Sequence, residues 1–263
     1  WNKRSIDSRK KNDIKFIYNI EVLLKKELDI SVLSNVLPVK EKEKIIREPL
    51  YKSKEVAVIG AGPAGLFSAL RLAEYGYIPL VFERGEEVDK RDITNNRFIA
   101  DSILNPESNV QFGEGGAGTY SDGKLNTRIK SEYIDKVFRE LVDCGAQEEI
   151  LWDYKPHIGT DVLKVVVKNI REKIKSMGGK FYFNTKMENL LIKNNCVIGI
   201  ETINKDGVKE IISTDSVILA IGHSSRDTYR MLHKNGVHLE NKPFAVGARI
   251  EHLRSDIDKM QYG

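Results

Sequence analysis

Hydrophobic and polar residues alternate early in the chain: Ile14, Phe16, Tyr18, Ile20 and Val22 stand between mostly polar neighbours, which predicts a strand with one buried face. Charged residues then dominate 40–54, with Pro38 and Pro49 as breakers, and predict a linker or connecting helix. Residues 1–49 are therefore expected to form a small N-terminal α+β unit with its linker, and 50–263 a main unit. That unit opens with an apolar strand over 55–59, the turn Gly60-Ala61-Gly62-Pro63-Ala64-Gly65, a helix over 66–74 stopped at Gly76, and a second strand over 78–83 ending on an acid. The order is that of a βαβ unit.

From 85 to 126 no period is evident, and a long loop is expected. Two amphipathic helices follow. Tyr133, Ile134, Val137, Phe138 and Leu141 share one face, ending near Gly145, and Leu163, Val166, Val167, Ile170, Ile174 and Met177 share another, ending at Gly178-Gly179. Strands are predicted over 181–184, 190–193, 197–203, 208–213 and 217–221, with a turn at Asn204-Lys205-Asp206-Gly207 and an apparent last strand over 244–250. This is an α/β pattern.

Composition narrows the class. With 41% hydrophobic and 30% charged residues over 263 positions, and no apolar run near the roughly 18 residues of a membrane span, a globular protein with no membrane partner is expected. The 42 basic and 38 acidic residues, net +4, are too balanced to indicate a nucleic-acid partner, and Arg9-Lys10-Lys11 reads as a solvated turn. Cys144 and Cys196 lack CxxC spacing, so neither a redox dithiol nor a metal site is indicated, and reduced thiols suit a cytoplasmic protein. The chain begins at Trp1, not Met, and is expected to be a fragment of something longer.

The glycine turn carries the chemistry. A dinucleotide pyrophosphate needs close backbone approach and N–H donors at a helix N-terminus, where the helix dipole favours negative charge. Gly60 allows the tight exit from the strand, Gly62 the approach to the pyrophosphate, and Gly65 close packing of helix on strand. Glu83, eighteen residues beyond Gly65, stands where a carboxylate accepts hydrogen bonds from ribose hydroxyls. Arg84 beside it suits either a cofactor contact or an ion pair. Glu83 would repel a 2′-phosphate, so FAD or NAD is expected over NADP. Residues 113–123 hold five glycines, Gly113, Gly115, Gly116, Gly118 and Gly123, expected to let backbone approach something flat or charged, with a surface loop as the alternative.

A late apolar strand ends in Ala220-Ile221-Gly222-His223-Ser224-Ser225-Arg226. Together with the phrases NVQFGEGGAGTYSDGKL, AIGHSSRDTYRML and KPFAVGARIEH, these features resemble flavoproteins of the two-dinucleotide-binding-domain type, and most closely the uncharacterised bacterial FAD-dependent dehydrogenases. The likeness covers about Arg4 to Gly263. It implies bound FAD and a Rossmann-like FAD/NAD(P)-binding domain with interleaved substrate-domain segments. Carried over by position, Gly60, Gly62, Ala64 and Gly65 would meet pyrophosphate, Glu83 ribose, Met187 the adenine through its backbone, and Gly115, Gly116 and Ala117 the flavin side, while Ala220 and Gly222 would close the site. Pro63, Arg84, Arg91 and Gly118 are counted with them. Such flavoproteins usually have a further C-terminal glycine-acid segment, and none follows Gly263, so this chain is expected to hold FAD weakly.

Flavin performs the redox step itself, and the protein positions substrate and tunes the ring. His223 and His252 are candidate acid–base groups because histidine titrates near neutrality, with a structural role as the alternative for each. Asp122 and Lys124 are candidate substrate contacts, and Arg91 and Arg226 candidate anion contacts. With no second GxGxxG, a dedicated NAD(P)H domain is disfavoured, and NAD(P)H is expected at most as a diffusible donor. A non-catalytic FAD- or NAD-binding scaffold and a simple NAD-dependent dehydrogenase are the competing readings. Neither substrate nor oligomeric state is indicated.

Overall fold

The computed structural model describes residues 3–26, 29, 35–39, 54–121, 123–125, 127, 129, 131–153, 155–248 and 250–263. Two strands, β1 (Lys3–Asp7) and β2 (Lys15–Asn19), pair antiparallel as a hairpin. The main sheet holds β3 (Glu55–Ile59), β4 (Ile78–Phe82), β5 (Lys180–Tyr182) and β9 (Val217–Leu219), all parallel, in the order β5-β4-β3-β9. Between β5 and β9 the chain makes an antiparallel sheet of β6 (Thr185–Lys193), β7 (Cys196–Asn204) and β8 (Lys209–Ser213). The helices are α1 (Pro63–Glu74), α2 (Val88–Asp101), α3 (Tyr133–Asp143), α4 (Thr160–Ser176), α5 (Arg226–Lys234) and α6 (Arg254–Tyr262).

Successive side chains of a strand point to opposite faces, so β3 and β4 feed two cores. Val58 and Val81 face Leu66, Ala69 and Leu70 of α1, Leu141 of α3, and Val166, Ile170 and Ile174 of α4. Ala57, Ile59, Leu80 and Phe82 face Met187, Leu190 and Ile200 of the antiparallel sheet and Leu232 of α5. The parallel strands are covered on both sides, which is why they read as continuous apolar runs. Helices, parallel sheet and antiparallel sheet form three layers.

Three expectations are corrected. The strand around 15–19 forms, but neither of its faces is buried: Phe16 is 59% and Tyr18 46% exposed. Its partner β1 lacked an apolar signal, and the hairpin is tied to the rest through the Arg4 N–H to the Trp152 carbonyl at 2.6 Å and the Arg4–Asp153 ion pair at 2.7 Å. The expected loop over 85–126 contains α2. Its buried face consists of Val88, Arg91 and Asn95, so the helical period is carried by polar residues that a hydrophobic pattern cannot show. The expected strand over 244–250 does not form among the described residues, where Phe244 and Val246 are each 85% exposed and no neighbouring edge pairs with them. A helix, α6, follows it. The expected linker over 40–53 and the boundary near Pro49 lie outside the described residues.

The packing of α1 on β3 depends on Gly65, where a Cβ would stand 1.8 Å from the Gly60 carbonyl oxygen. Gly65→Ala is expected to destabilise the protein by about 3 kcal/mol, the upper end of overpacking costs, because backbone and not a flexible side chain must move. Gly118→Ala, with no atom of the described residues within 4 Å of the added Cβ, is expected to stay within about 0.5 kcal/mol. Chemical denaturation of the two variants checks both.

Candidate functional site

The C-terminal ends of β3, β4 and β9 border a cavity of about 370 Å³. It opens where the strand order reverses between β3 and β9, the crevice where open α/β sheets take ligands. Gly60 leaves β3 with φ +101°, and a Cβ there would meet the Ala220 carbonyl oxygen at 2.4 Å, so glycine is required to pass so close to the end of β9. Gly62 is the N-cap of α1 in extended conformation, Pro63 takes the first helical position, and no side chain caps the helix. The first-turn N–H groups of a helix have no acceptor within it. The turn that carries them borders the cavity: Gly62, Pro63 and Ala64 line it, Pro63 itself having no N–H.

Glu83 organises the floor. Its side chain is almost completely buried, and its carboxylate accepts from the Ala61 N–H at 2.7 Å, the Gly85 N–H at 2.9 Å and the Gly113 N–H at 3.1 Å. The glycine turn, the exit from β4 and the later glycine-rich segment thus meet on one group. The Gly115 N–H donates to the Ala61 carbonyl at 2.8 Å and ties the same segments again.

Of the residues expected to bind cofactor, Gly60, Gly62, Pro63 and Ala64 line the cavity with Glu83 and Arg84, and Gly116, Ala117, Met187, Ala220 and Gly222 close it from other sides. His223 lies on its rim among the same lining residues. Gly65 is beneath, in the helix–strand contact. Gly115 and Gly118 do not line it. Arg91 does not reach it either: fully buried, its guanidinium donates to the carbonyls of Asn109 at 2.8 Å, Val110 at 2.9 Å and Glu114 at 2.6 Å. His252 sits on an exposed segment away from the lining, Arg226 is exposed at the start of α5, Lys124 bridges to His157, and Asp122 lies outside the described residues.

The glycine-rich segment serves the protein itself more than expected. A Cβ at Gly113 would strike Arg91 Cδ at 2.5 Å, one at Gly115 would strike Thr119 Oγ1 at 2.1 Å, and one at Gly123 would come within 2.9 Å of the Gly159 nitrogen. Only Gly113 and Gly116 of the five also face the cavity. Gln111, Phe112, Thr185, Lys186, Ser225, Thr228 and Tyr229, none of them among the expected site residues, also line it. The run following Gly222 held a usable signal, because Ser225 and Thr228 are polar residues buried by their turn: Ser225 Oγ donates to the Ile221 carbonyl at 2.7 Å and the Tyr229 hydroxyl to that of Gly222 at 3.0 Å.

Behind the segment lies a buried ion pair. Glu114 Oε2 accepts from the Val88 N–H and from Arg171 Nη1, each at 2.8 Å, while Oε1 is buried without a partner among the described residues. Burial pushes the Glu114 carboxyl up from its ordinary 4.5 to about 7, against the downward pull of the Val88 N–H and Arg171. Among the described residues no group of three or more His, Cys, Asp or Glu is placed to hold a metal, and no helix is long and apolar enough to cross a membrane.

The family model of the pyridine nucleotide-disulphide oxidoreductases matches residues 54–241, spanning both sheets and every wall of the cavity. The chain belongs to this family. The structure has the Rossmann-like fold of its FAD-binding oxidoreductases, and the antiparallel sheet between β5 and β9 lies within the matched span of the pyridine nucleotide-disulphide oxidoreductase model. An uncharacterized protein of Clostridium beijerinckii is 48% identical over 268 residues, covering 99% of this chain and 49% of the relative. A thiamine thiazole synthase of Pyrobaculum calidifontis is 33% identical over 104 residues, 37% of this chain and 38% of that protein. The crystal structure of Thermovibrio ammonificans THI4 is similar at a TM-score of 0.46 and 18% identity, covering 71% of this chain and 64% of that one. The chain spans about half the length, or less, of these curated relatives.

Glu114 gives stability a pH dependence. Its folded pKa is raised, so the native state holds a proton that the unfolded chain releases first, and stability falls as pH rises from about 4.5 to about 7. Glu114→Gln is expected to remove that contribution, so that between pH 5 and pH 7.5 the variant loses less stability than the parent in paired urea titrations. Equal losses would show that the carboxyl ionises normally.

Proposed function

We propose that the chain is the FAD-binding part of a flavin-dependent oxidoreductase, a dehydrogenase, and that its cavity takes the adenosine-diphosphate half of FAD. The observation that carries this reading is the convergence, at one switch point, of an uncapped glycine-led helix N-terminus, a buried carboxylate at the end of the neighbouring strand, and the small residues Ala220 and Gly222. The residues fit the group. A Cβ at Gly62 would have only Gly116 Cα near it, at 3.8 Å, so the approach to α1 is open, and about 370 Å³ is at the small end of small-molecule sites.

Bound FAD supplies the redox chemistry, accepting or giving a hydride or electrons. The chain's own residues bind and orient. In the first turn of α1 the Ala64 and Gly65 N–H groups, Pro63 having none, would meet the diphosphate, and the helix dipole would add to their pull. Glu83 spends three of its roughly four lone-pair sites on backbone N–H groups, which leaves acceptor capacity for a ribose hydroxyl. Met187 would meet the adenine through its backbone, and Gly116 and Ala117, which also line the cavity, would meet the flavin side. His223 is the acid–base candidate, being on the rim, whereas His252 is not at the cavity. We further propose a small-molecule substrate handled with the help of the antiparallel sheet, NAD(P)H as a diffusible donor, and a cytoplasmic setting. Membership of an oxidoreductase family favours this reading over a non-catalytic scaffold.

Gly62 and Gly65 separate binding from folding. Gly62→Ala puts a methyl in the path of the diphosphate at a φ of −73° that any residue adopts, so its stability should stay within about 1 kcal/mol of the parent. Its affinity for ADP and FAD, read by calorimetry and flavin fluorescence, is expected to fall at least tenfold. A parent chain that binds neither ligand would sink the reading. After desalting, FAD is expected to remain below one equivalent, and reduction of bound flavin by NAD(P)H or another small-molecule donor is the expected sign of an enzyme.

A further inference from the structure

Arg84 follows Glu83 out of β4, and both line the cavity. In a dinucleotide fold this is where an arginine can accept the 2′-phosphate of an NADP-type ribose. Its guanidinium is already engaged. Nε donates to Glu107 Oε2 at 2.7 Å, Nη1 and Nη2 donate to the two carboxylate oxygens of Asp227 at 3.0 and 2.9 Å, and the group lies over the Phe112 ring, 4.5 Å from its centroid. The Arg84 side chain is 13% exposed. A forked arginine held by two carboxylates in this way has little left to offer a third anion.

The surrounding charges reinforce the point. Lys186, the other cation lining this end, is 3.0 Å from Glu188 and 3.9 Å from Asp227. Lys209 also pairs with Glu188, at 3.5 Å, but is not part of the lining. Arg84, Lys186 and Lys209 therefore stand among Glu83, Glu107, Glu188 and Asp227, four carboxylates to three cations, so the formal charge of this cluster is negative. A neutral ribose hydroxyl suits that charge, and a dianionic phosphate does not.

We propose that Glu107 and Asp227 are specificity-determining residues: by neutralising Arg84 they make this cavity select adenosine dinucleotides with a free 2′-hydroxyl and reject those with a 2′-phosphate. The proposal rests on the dinucleotide reading above and adds to the repulsion by Glu83 a second device built from two remote segments. Asp227 enters from α5, 143 residues away in sequence. It gives the Arg226-Asp227 run after β9 a task that the glycine turn alone does not explain.

The test is a titration of the chain with ADP-ribose and with 2′-phospho-ADP-ribose, which differ only in that phosphate, at low ionic strength. The parent is expected to bind ADP-ribose at least tenfold tighter. In Asp227→Asn or Glu107→Gln, which keep the side-chain shape and remove one negative charge, the ratio of the two affinities is expected to fall at least fivefold, because Arg84 is then partly released. Adding Arg84→Gln to Asp227→Asn should restore the preference. The ratio cancels any general weakening of the site. A parent that binds both ligands equally overturns the proposal, and so does failure of both single variants to narrow the ratio, whether selectivity is unchanged or ADP-ribose binding is lost. A parent that binds neither ligand overturns the dinucleotide reading itself, a separate outcome.

Discussion

One carboxylate holds the site together. Glu83 accepts three backbone N–H groups from three loops, those of Ala61, Gly85 and Gly113. Hydrogen bonds to a charged acceptor are about twice as strong as neutral ones, and a nearly fully buried carboxylate must have them to offset its desolvation. Loss of any one of the three would leave a partly satisfied charge in the core. The loops are therefore fixed relative to one another as a unit, and the cavity they border inherits that rigidity.

The glycines of the first turn follow from the same closeness, each for a different reason. Gly60 has Ala220 within a Cβ's reach and Gly65 has Gly60, so both are demanded by the protein's own backbone, whereas Gly62 has nothing nearer than Gly116 Cα. Of the three, only Gly62 is small without an internal cause. That asymmetry is a physical sign that the space beside it is meant for something outside the chain. It also shows why the turn is legible in sequence: two steric requirements and, on the proposed reading, one ligand requirement coincide in a single spacing.

Legibility fell where polar residues do the work of a core. The parallel strands, α1, α3 and α4 show in apolar period because their buried faces are apolar. The helix α2 does not, because Arg91 and Asn95 face inward, and the segment after it is held by carbonyls donated to by Arg91 and by the Glu114–Arg171 pair, none of which alters a hydrophobic pattern. In the glycine-rich segment Gly113, Gly115 and Gly123 do mark close approach, but the approach is to Arg91, Thr119 and Gly159 within the chain. The partner of a glycine is a matter of tertiary packing, and composition alone leaves it open between ligand and neighbour.

A polar scaffold at this point has a structural logic. A loop bordering a ligand cavity has one side committed to the cavity, so it cannot be sandwiched between two apolar surfaces as β3 and β4 are. Fixing such a loop from one side requires directional contacts, and buried guanidinium and carboxylate groups supply them: Arg91 reaches three carbonyls of the segment from α2, and Arg171 reaches Glu114 from α4. Arg84 does the same at the rim, joining Glu107 to Asp227 across the end of β4. Each cation is spent on holding protein to protein, and the cavity is left with neutral backbone donors at one end and a negative field at the other. That division, more than the presence of any single charged residue, sets what the cavity can accept.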